Sequence, residues 1–269
     1  MRLNPLPRLS FDEFTPSMFG GEPRVLTFPS QAPHKAVPSW TIDYLNASAG
    51  DREVWLRCGD ALSNIYRQPG PPIKARLREY LKWVTDPLHA TIGEADPGKK
   101  FYLDVPLAQL GSALVDDVSA PRWFASPPLI AVFWCGVLGS SSGLHYDDTP
   151  NCNMQVAGEK RFVLFPPRSG WSLGRLPRKT HYRFDPNASI GDQPPGTERL
   201  SGWETILRAG ECIYIPAGWP HQVTTVSSWA MNVNFFWPLP PLQGLAHPSM
   251  WSMLLQKHTA RLRKAVKLQ

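Results

Sequence analysis

Two hydrophobic periods divide the chain. Over 73–86, IKARLREYLKWVTD, the apolar residues Ile73, Leu77, Tyr80, Leu81 and Val84 recur at helical spacing behind Pro71 and Pro72. That spacing predicts an amphipathic helix whose apolar face packs inward. WTIDYLNAS predicts a second helix, and SFDEF a short one with Ser10 placed as its cap and Glu13 three residues on. From residue 100 the pattern changes to short alternating or apolar runs bounded by Gly, Pro and Asp. These are FYLDVPL, LIAVFWCGVL, LHYDD, CNMQVA, KRFVLF, WETILRA, CIYIP, HQVTTV and WAMNVNFFW, the pattern of an all-β sandwich or barrel. Between CNMQVA and KRFVLF, Gly158-Glu159 predicts a two-residue hairpin, with glycine where a positive φ is needed.

The remaining segments frame this pattern. The stretch 167–200 is polar and Pro-rich, and reads either as an insertion shaping a substrate entrance or as a solvated loop. PSMWSMLLQKHTARLRKAVKL predicts a C-terminal amphipathic helix that docks on the β core or on a second copy of the chain, a possible homodimer contact. The expected layout is one domain over 1–245, with a helical elaboration over 1–98 and a β core over 99–245, followed by a tail at 246–269.

Composition narrows the class. With 42% hydrophobic residues, 11 Trp and 12 Phe in 269 positions, the chain can bury a sizeable aromatic core. Cys58, Cys135, Cys152 and Cys212 form no CxxC pair, which speaks against a zinc ribbon and for reduced thiols in a cytoplasmic protein. No apolar run has the length of a membrane span, so a membrane partner is not expected. The net charge of +6 suits an anionic partner, yet basic residues cluster only in RLPRKTHYR and KHTARLRKAVK. Nucleic acid is therefore not the expected partner, and a small anion or an acidic peptide is served equally well.

The candidate chemistry starts at GLHYDDTP. If LHYDD is a strand, His145 and Asp147 point to one side and Tyr146 to the other. A histidine and a carboxylate so placed are two thirds of a 2-His-1-carboxylate metal site, and they are equally ordinary residues of a polar turn. His221 opens a strand after GECIYIPAGWP, beside Trp219 and Val223; a buried imidazole there needs a partner, either a core hydrogen bond or a metal. His181, in the insertion, reads as exposed. Lys160 shares a strand face with Phe162 and Leu164, where an ammonium among apolar groups wants an anion unless the strand start is solvated. Asn232 and Asn234 share a face with Ala230 and Phe236, so two amides point inward.

LHYDDTPNCNMQVAGEKRFVLFPP followed by GECIYIPAGWPHQV resembles the JmjC or cupin-like Fe(II)- and 2-oxoglutarate-dependent oxygenases. Within them it is most similar to the small members of the type that hydroxylates an asparagine of hypoxia-inducible factor. RLSFDEF, PSWTIDYLNASAGDREVWL, LREYLKWV and KKFYLDVPL match in the same order, so the resemblance covers residues 9–237. It implies a double-stranded β-helix, a mainly β jelly-roll or cupin barrel. It implies that His145, Asp147 and His221 are catalytic and ligate Fe(II), and that Lys160 pairs with the distal carboxylate of 2-oxoglutarate. Ser142, Tyr102, Asn151 and Asn234 follow as further co-substrate contacts, with Asn232 left as structural. Pro220, Glu211 and Asp104 depart from the family pattern without removing a ligand; Asp104 stands where the asparaginyl hydroxylase uses a longer polar residue toward substrate. The implied reaction consumes O2 and 2-oxoglutarate and hydroxylates a side chain of a peptide or protein, giving succinate and CO2. Hydroxylation or N-demethylation of a small molecule, or a non-catalytic cupin-like binding protein, are the alternatives.

Overall fold

The computed structural model describes residues 1–17, 21–28, 35–61, 70–90, 92, 98–176, 180–188 and 192–239. The tail helix expected at 246–269, and any dimer contact through it, lies outside them. The N-terminal half contributes strands β1 (Arg2–Pro5), β2 (Arg8–Ser10), β3 (Arg24–Thr27), β4 (Glu53–Gly59), β5 (Ile73–Arg76) and β6 (Lys100–Pro106). Between them lie helices α1 (Ala36–Ser39), α2 (Ile42–Ala49) and α3 (Leu77–Thr85), and α4 (Ser112–Asp116) follows. Then come β7 (Ile130–Val137), β8 (Asn151–Ala157), β9 (Glu159–Leu164), β10 (Ser201–Arg208), β11 (Cys212–Ile215), β12 (His221–Thr225) and β13 (Trp229–Phe236).

The strands form two sheets, one ordered β1-β10-β9-β12 and the other β2-β3-β11-β8-β13-β7-β6-β4-β5. The mainly β, jelly-roll expectation holds, but the barrel does not close. Strands β6, β4 and β5 pair outward from β7, so the edge that would meet the small sheet is already hydrogen-bonded.

Gly158 adopts φ +69°, as expected, yet it makes no hairpin. Strand β8 pairs with β11 and β13, whereas β9 pairs with β10 and β12, so the chain crosses at Gly158 from one sheet to the other. A Cβ at this position would stand 2.2 Å from the carbonyl oxygen of Trp229, so close approach demands glycine as much as φ does.

The helix expected over 73–86 is shorter than its periodicity suggests. Ile73–Arg76 pairs with β4, and the helix begins at Leu77, with the Arg76 amide donating to Glu79 Oε2 at 2.7 Å. The open edge of β4 satisfies the backbone of this first segment. The apolar face is nonetheless buried, through Leu77, Tyr80, Leu81, Trp83 and Val84. Thr41 caps α2 by accepting from the Tyr44 amide at 3.1 Å, while SFDEF forms only a 3-10 turn at Phe11–Glu13 without a Ser10 cap. Over 1–98 five strands lie beside the helices α1, α2 and α3. Val54, Leu56 and Cys58 alternate inward on β4 and bury against the large core.

That core runs from α3 through β6, β7 and β13, with Trp83, Tyr80, Phe133 and Trp237 among its largest buried side chains. Cys58, Cys135, Cys152 and Cys212 are all buried. A separate small core joins the insertion to the sheets: Leu173, Tyr182, Phe184 and Leu200 pack against Leu144, Tyr146, Val163 and Phe165. The 167–200 segment is thus seated by apolar burial. Among the described residues, no helix is long and apolar enough to cross a membrane.

Candidate metal centre

LHYDD is not a regular strand. Gly139 and Gly143, at φ +85° and +68°, break the backbone after β7, and the segment returns to β12 through isolated bridges, Ser141 to Thr224 and His145 to His221, and through the Gly139 and Ser142 amides, which donate to the Thr225 and Val223 carbonyls at 3.0 Å each. The His145 and His221 amides and carbonyls exchange hydrogen bonds at 2.9 and 2.6 Å. The local alternation survives: His145 and Asp147 face a cavity between the sheets, while Tyr146 turns into the small core, its hydroxyl meeting Arg175.

The three candidate ligands converge. His145 Nε2 lies 3.9 Å from one Asp147 carboxylate oxygen and His221 Nε2 lies 3.6 Å from the other, and the ligand atoms of all three fall within 4.8 Å of one another. His145 Nδ1 sits 3.1 Å from the Gly143 carbonyl and His221 Nδ1 2.9 Å from the Trp219 carbonyl. A carbonyl only accepts, so both rings present an N–H at Nδ1 and turn Nε2 toward Asp147, the orientation that metal ligation uses. Burial, and next the proximity of His221, pushes His145 down to about 4, which keeps its ring neutral at pH 7. Asn151 Nδ2 donates to Asp147 Oδ2 at 2.9 Å and fixes the carboxylate.

At the other end of the cavity Lys160 is 1% exposed. Its ammonium donates to Tyr102 Oη at 3.2 Å and to Asn232 Oδ1. Burial pulls it down to about 7, and no carboxylate among the described residues offsets that cost. Between Asp147 and Lys160 runs a row of amides. Asn153 faces Asn234 across β8 and β13, and Gln155 faces Asn232. The side-chain carbonyls of Asn151, Asn153 and Asn234 are buried and lack a hydrogen-bond partner. Each such orphan costs on the order of 1–3 kcal/mol. The row calls for a polar occupant.

The eight expected site residues, Tyr102, Ser142, His145, Asp147, Asn151, Lys160, His221 and Asn234, all line this one cavity of about 220 Å³. Ser142 also serves the backbone, donating to the Gly143 carbonyl at 3.0 Å and accepting from the Val223 amide at 3.1 Å. Asp104 does not line the cavity; it holds Arg57 in a two-point pair at 2.6 and 2.9 Å. Among the other lining residues, Asn153, Asn232 and His181 are polar groups that the sequence reading did not assign to the site. Asn153 repeats Asn151 at the next position on the same strand face, which is a usable signal. Asn232 holds the Lys160 ammonium and is no mere structural amide. His181, expected to be exposed, stacks on His145 with ring centroids 5.4 Å apart.

A dianion with one carboxylate at Lys160 and a chelating end at the three ligands matches this donor set, and so does a first-row divalent metal. The chain also has named relatives. It is 28% identical over 227 residues to the chicken (Gallus gallus) tRNA wybutosine-synthesizing protein 5, covering 76% of this chain and 67% of that one. It is 31% identical over 155 residues to the Arabidopsis thaliana lysine-specific demethylase JMJ31, covering 52% and 28%. To the Drosophila melanogaster Jumonji C domain-containing protein 5 it is 25% identical over 243 residues, covering 85% and 58%. The chain thus spans from about a quarter to two thirds of these relatives' lengths. The cupin-like domain family matches residues 27–242, which takes in β4 to β13 and every residue of the cavity; the chain belongs to the cupin-like, JmjC-type domain family.

Proposed function

We propose that the protein is an Fe(II)- and 2-oxoglutarate-dependent oxygenase that hydroxylates a side chain of a peptide or protein, releasing succinate and CO2. The observation that carries this is one cavity with a His-Asp-His donor set at one end and, at the other, a buried lysine with no carboxylate partner among the described residues. His145 Nε2, His221 Nε2 and the Asp147 carboxylate would hold the iron, leaving the remaining positions for the keto acid and O2. Iron so bound, with its co-substrates, supplies the oxidising power that replaces a substrate hydrogen with hydroxyl.

The chain's own residues bind and orient. Lys160 takes the distal carboxylate, and Tyr102 and Asn232 hold its ammonium in place. Asn151 holds the Asp147 carboxylate, while Ser142 and Asn234 complete the co-substrate walls. Phe162, Ile215, Val223 and Phe236 line the same space with apolar surface and limit water. Within the family we place the chain with small hydroxylases similar to the asparaginyl type, acting in the cytoplasm. A second reading, hydroxylation of an RNA nucleoside, is favoured by the name of the chicken relative and by the net charge of +6.

Succinate formation from 2-oxoglutarate with added Fe(II), joined to mass spectrometry for a gain of one oxygen, tests both. Peptide pools gaining oxygen support the first reading and tRNA nucleosides gaining it support the second. Turnover that survives unchanged in both His145→Ala and Asp147→Ala overturns the metal assignment.

A further inference from the structure

The segment that carries His145 is the middle of three. On one side it bridges to His221; on the other, His145 bridges to His181 of the insertion. The Tyr146 amide donates to the Thr180 carbonyl at 3.1 Å, and the Tyr182 amide to the Leu144 carbonyl at 3.0 Å. Residues directly opposite in antiparallel pairs project to the same side. His181, His145 and His221 therefore form a row, with neighbouring ring centroids 5.4 and 4.4 Å apart.

The two outer rings differ in what they do to the middle one. His221 meets His145 at an interplanar angle of 51°, and its Nε2 turns toward Asp147. His181 lies nearly parallel to His145, at 23°, and belongs to no group of mutually close ligand atoms among the described residues. It covers the side of His145 opposite His221, because the two histidines bridge to His145 from the two edges of its segment.

We propose, on the metal reading above, that His181 is a positioning residue of the metal centre. Its ring, delivered by the 167–200 insertion, stacks on His145 and fixes the plane in which Nε2 meets the metal. The insertion is then part of the site's construction, anchored behind the histidine row by Tyr182 and Leu173 in the small core. Partners that orient a ligand ring from outside the coordination sphere typically change metal affinity 10- to 100-fold. A ring stack, which acts on the plane of the ligand and not on its basicity, belongs at the lower end.

The test is titration of the full chain, metal-free, with Co(II) followed by its visible absorption, and with Mn(II) followed by electron spin resonance. His181→Ala and His181→Gln should weaken both metals about tenfold. Both should also change the Co(II) spectrum, while the metal-free melting temperature separates this from unfolding. His181→Phe, which keeps a flat ring and removes both nitrogens, should restore affinity and spectrum to near those of the unaltered protein. Unchanged affinity in His181→Ala overturns the proposal. So does a His181→Phe protein as weak as His181→Ala, because the imidazole nitrogens would then be what matters. If the unaltered chain binds neither metal, the metal reading itself fails, an outcome distinct from both.

Discussion

The two ends of the cavity are built by different means. Lys160, Asn232, Asn234 and Tyr102 stand on regular strands, β9, β13 and β6, each paired on both sides. His145 and Asp147 stand on a glycine-broken segment that is hydrogen-bonded to β12 without continuous strand pairing, and His221 is the first residue of its strand. Exposure separates the loop from the strands: the Asp147 side chain is 25% exposed, whereas His221, which opens a strand, is 3% exposed and Lys160 1%. A fixed charge that reads one carboxylate is best placed where nothing moves, at the cost of desolvating its ammonium.

The harshest way to break this contrast is to remove a ligand from the looser end. Asp147→Ala should lower Co(II) affinity and succinate production by more than about 100-fold, beyond what loss of a merely orienting partner does. Its melting temperature without metal should hardly fall, since the site adds little apolar burial. Calorimetric titration and a succinate assay measure the two. A protein that still binds Co(II) tightly would move the centre away from Asp147.

At the strand-built end, Lys160→Ala should raise the 2-oxoglutarate requirement by about 100-fold, the order of a buried charge-assisted pair, with Co(II) affinity nearly unchanged. The same lysine sets a pH dependence. Burial lowers it from 10.5 to about 7, so above pH 7 the free protein holds it neutral. A bound carboxylate favours the ammonium, so binding then takes up a proton, and affinity should fall up to tenfold per pH unit above 7 and level off below. The sign for folding is opposite to that of a paired lysine. The unfolded chain takes up this proton near 10.5 and the folded one near 7, so stability declines as pH falls across that interval. Isothermal titration between pH 6 and 9 checks the first; a flat profile would place the carboxylate elsewhere.

The sequence exposes the two ends unequally. Lys160 was legible because β9 alternates cleanly, and period-two burial is a property of the strand alone. Asn232 was not, since its role depends on the tip of a lysine arriving from the other sheet. His145 and Asp147 could be paired from their spacing, even though no continuous strand forms, because local alternation needs only extended backbone. The ring of His181 reaches His145 only after the insertion folds back, which leaves no periodic trace. Gly158-Glu159 misled for a related reason: a tight glycine turn serves a hairpin and a sheet-to-sheet crossing alike, and the partner strands decide between them.

A smaller effect belongs to Asn151, which joins the two regimes by standing at the first position of β8 and reaching back to Asp147. Asn151→Ala should weaken Co(II) binding about tenfold while leaving the 2-oxoglutarate requirement at saturating metal within a few-fold. A 2-oxoglutarate effect larger than the metal effect would assign Asn151 to the co-substrate.

The smallest expected effect lies between the ligands. Tyr146 separates His145 from Asp147 in sequence, yet its ring is 96% removed from solvent on the opposite side, in the small core, with the Arg175 guanidinium carbon 5.0 Å from its ring centre. Tyr146→Phe keeps the ring, the backbone bridges to His221 and Thr180, and the cation contact; it removes only the hydroxyl that meets Arg175. One lost hydrogen bond is worth about 1 kcal/mol, which for a protein of this size lowers the melting temperature by about 2–4 °C. Metal affinity should stay within about twofold, because the ligand loop is held at this point by backbone bonds and by ring packing. Thermal denaturation and Co(II) titration of the same preparation read both numbers. A tenfold loss of metal affinity would show that the Arg175 to Tyr146 contact carries the insertion's grip on the loop, in place of the stacked ring of His181.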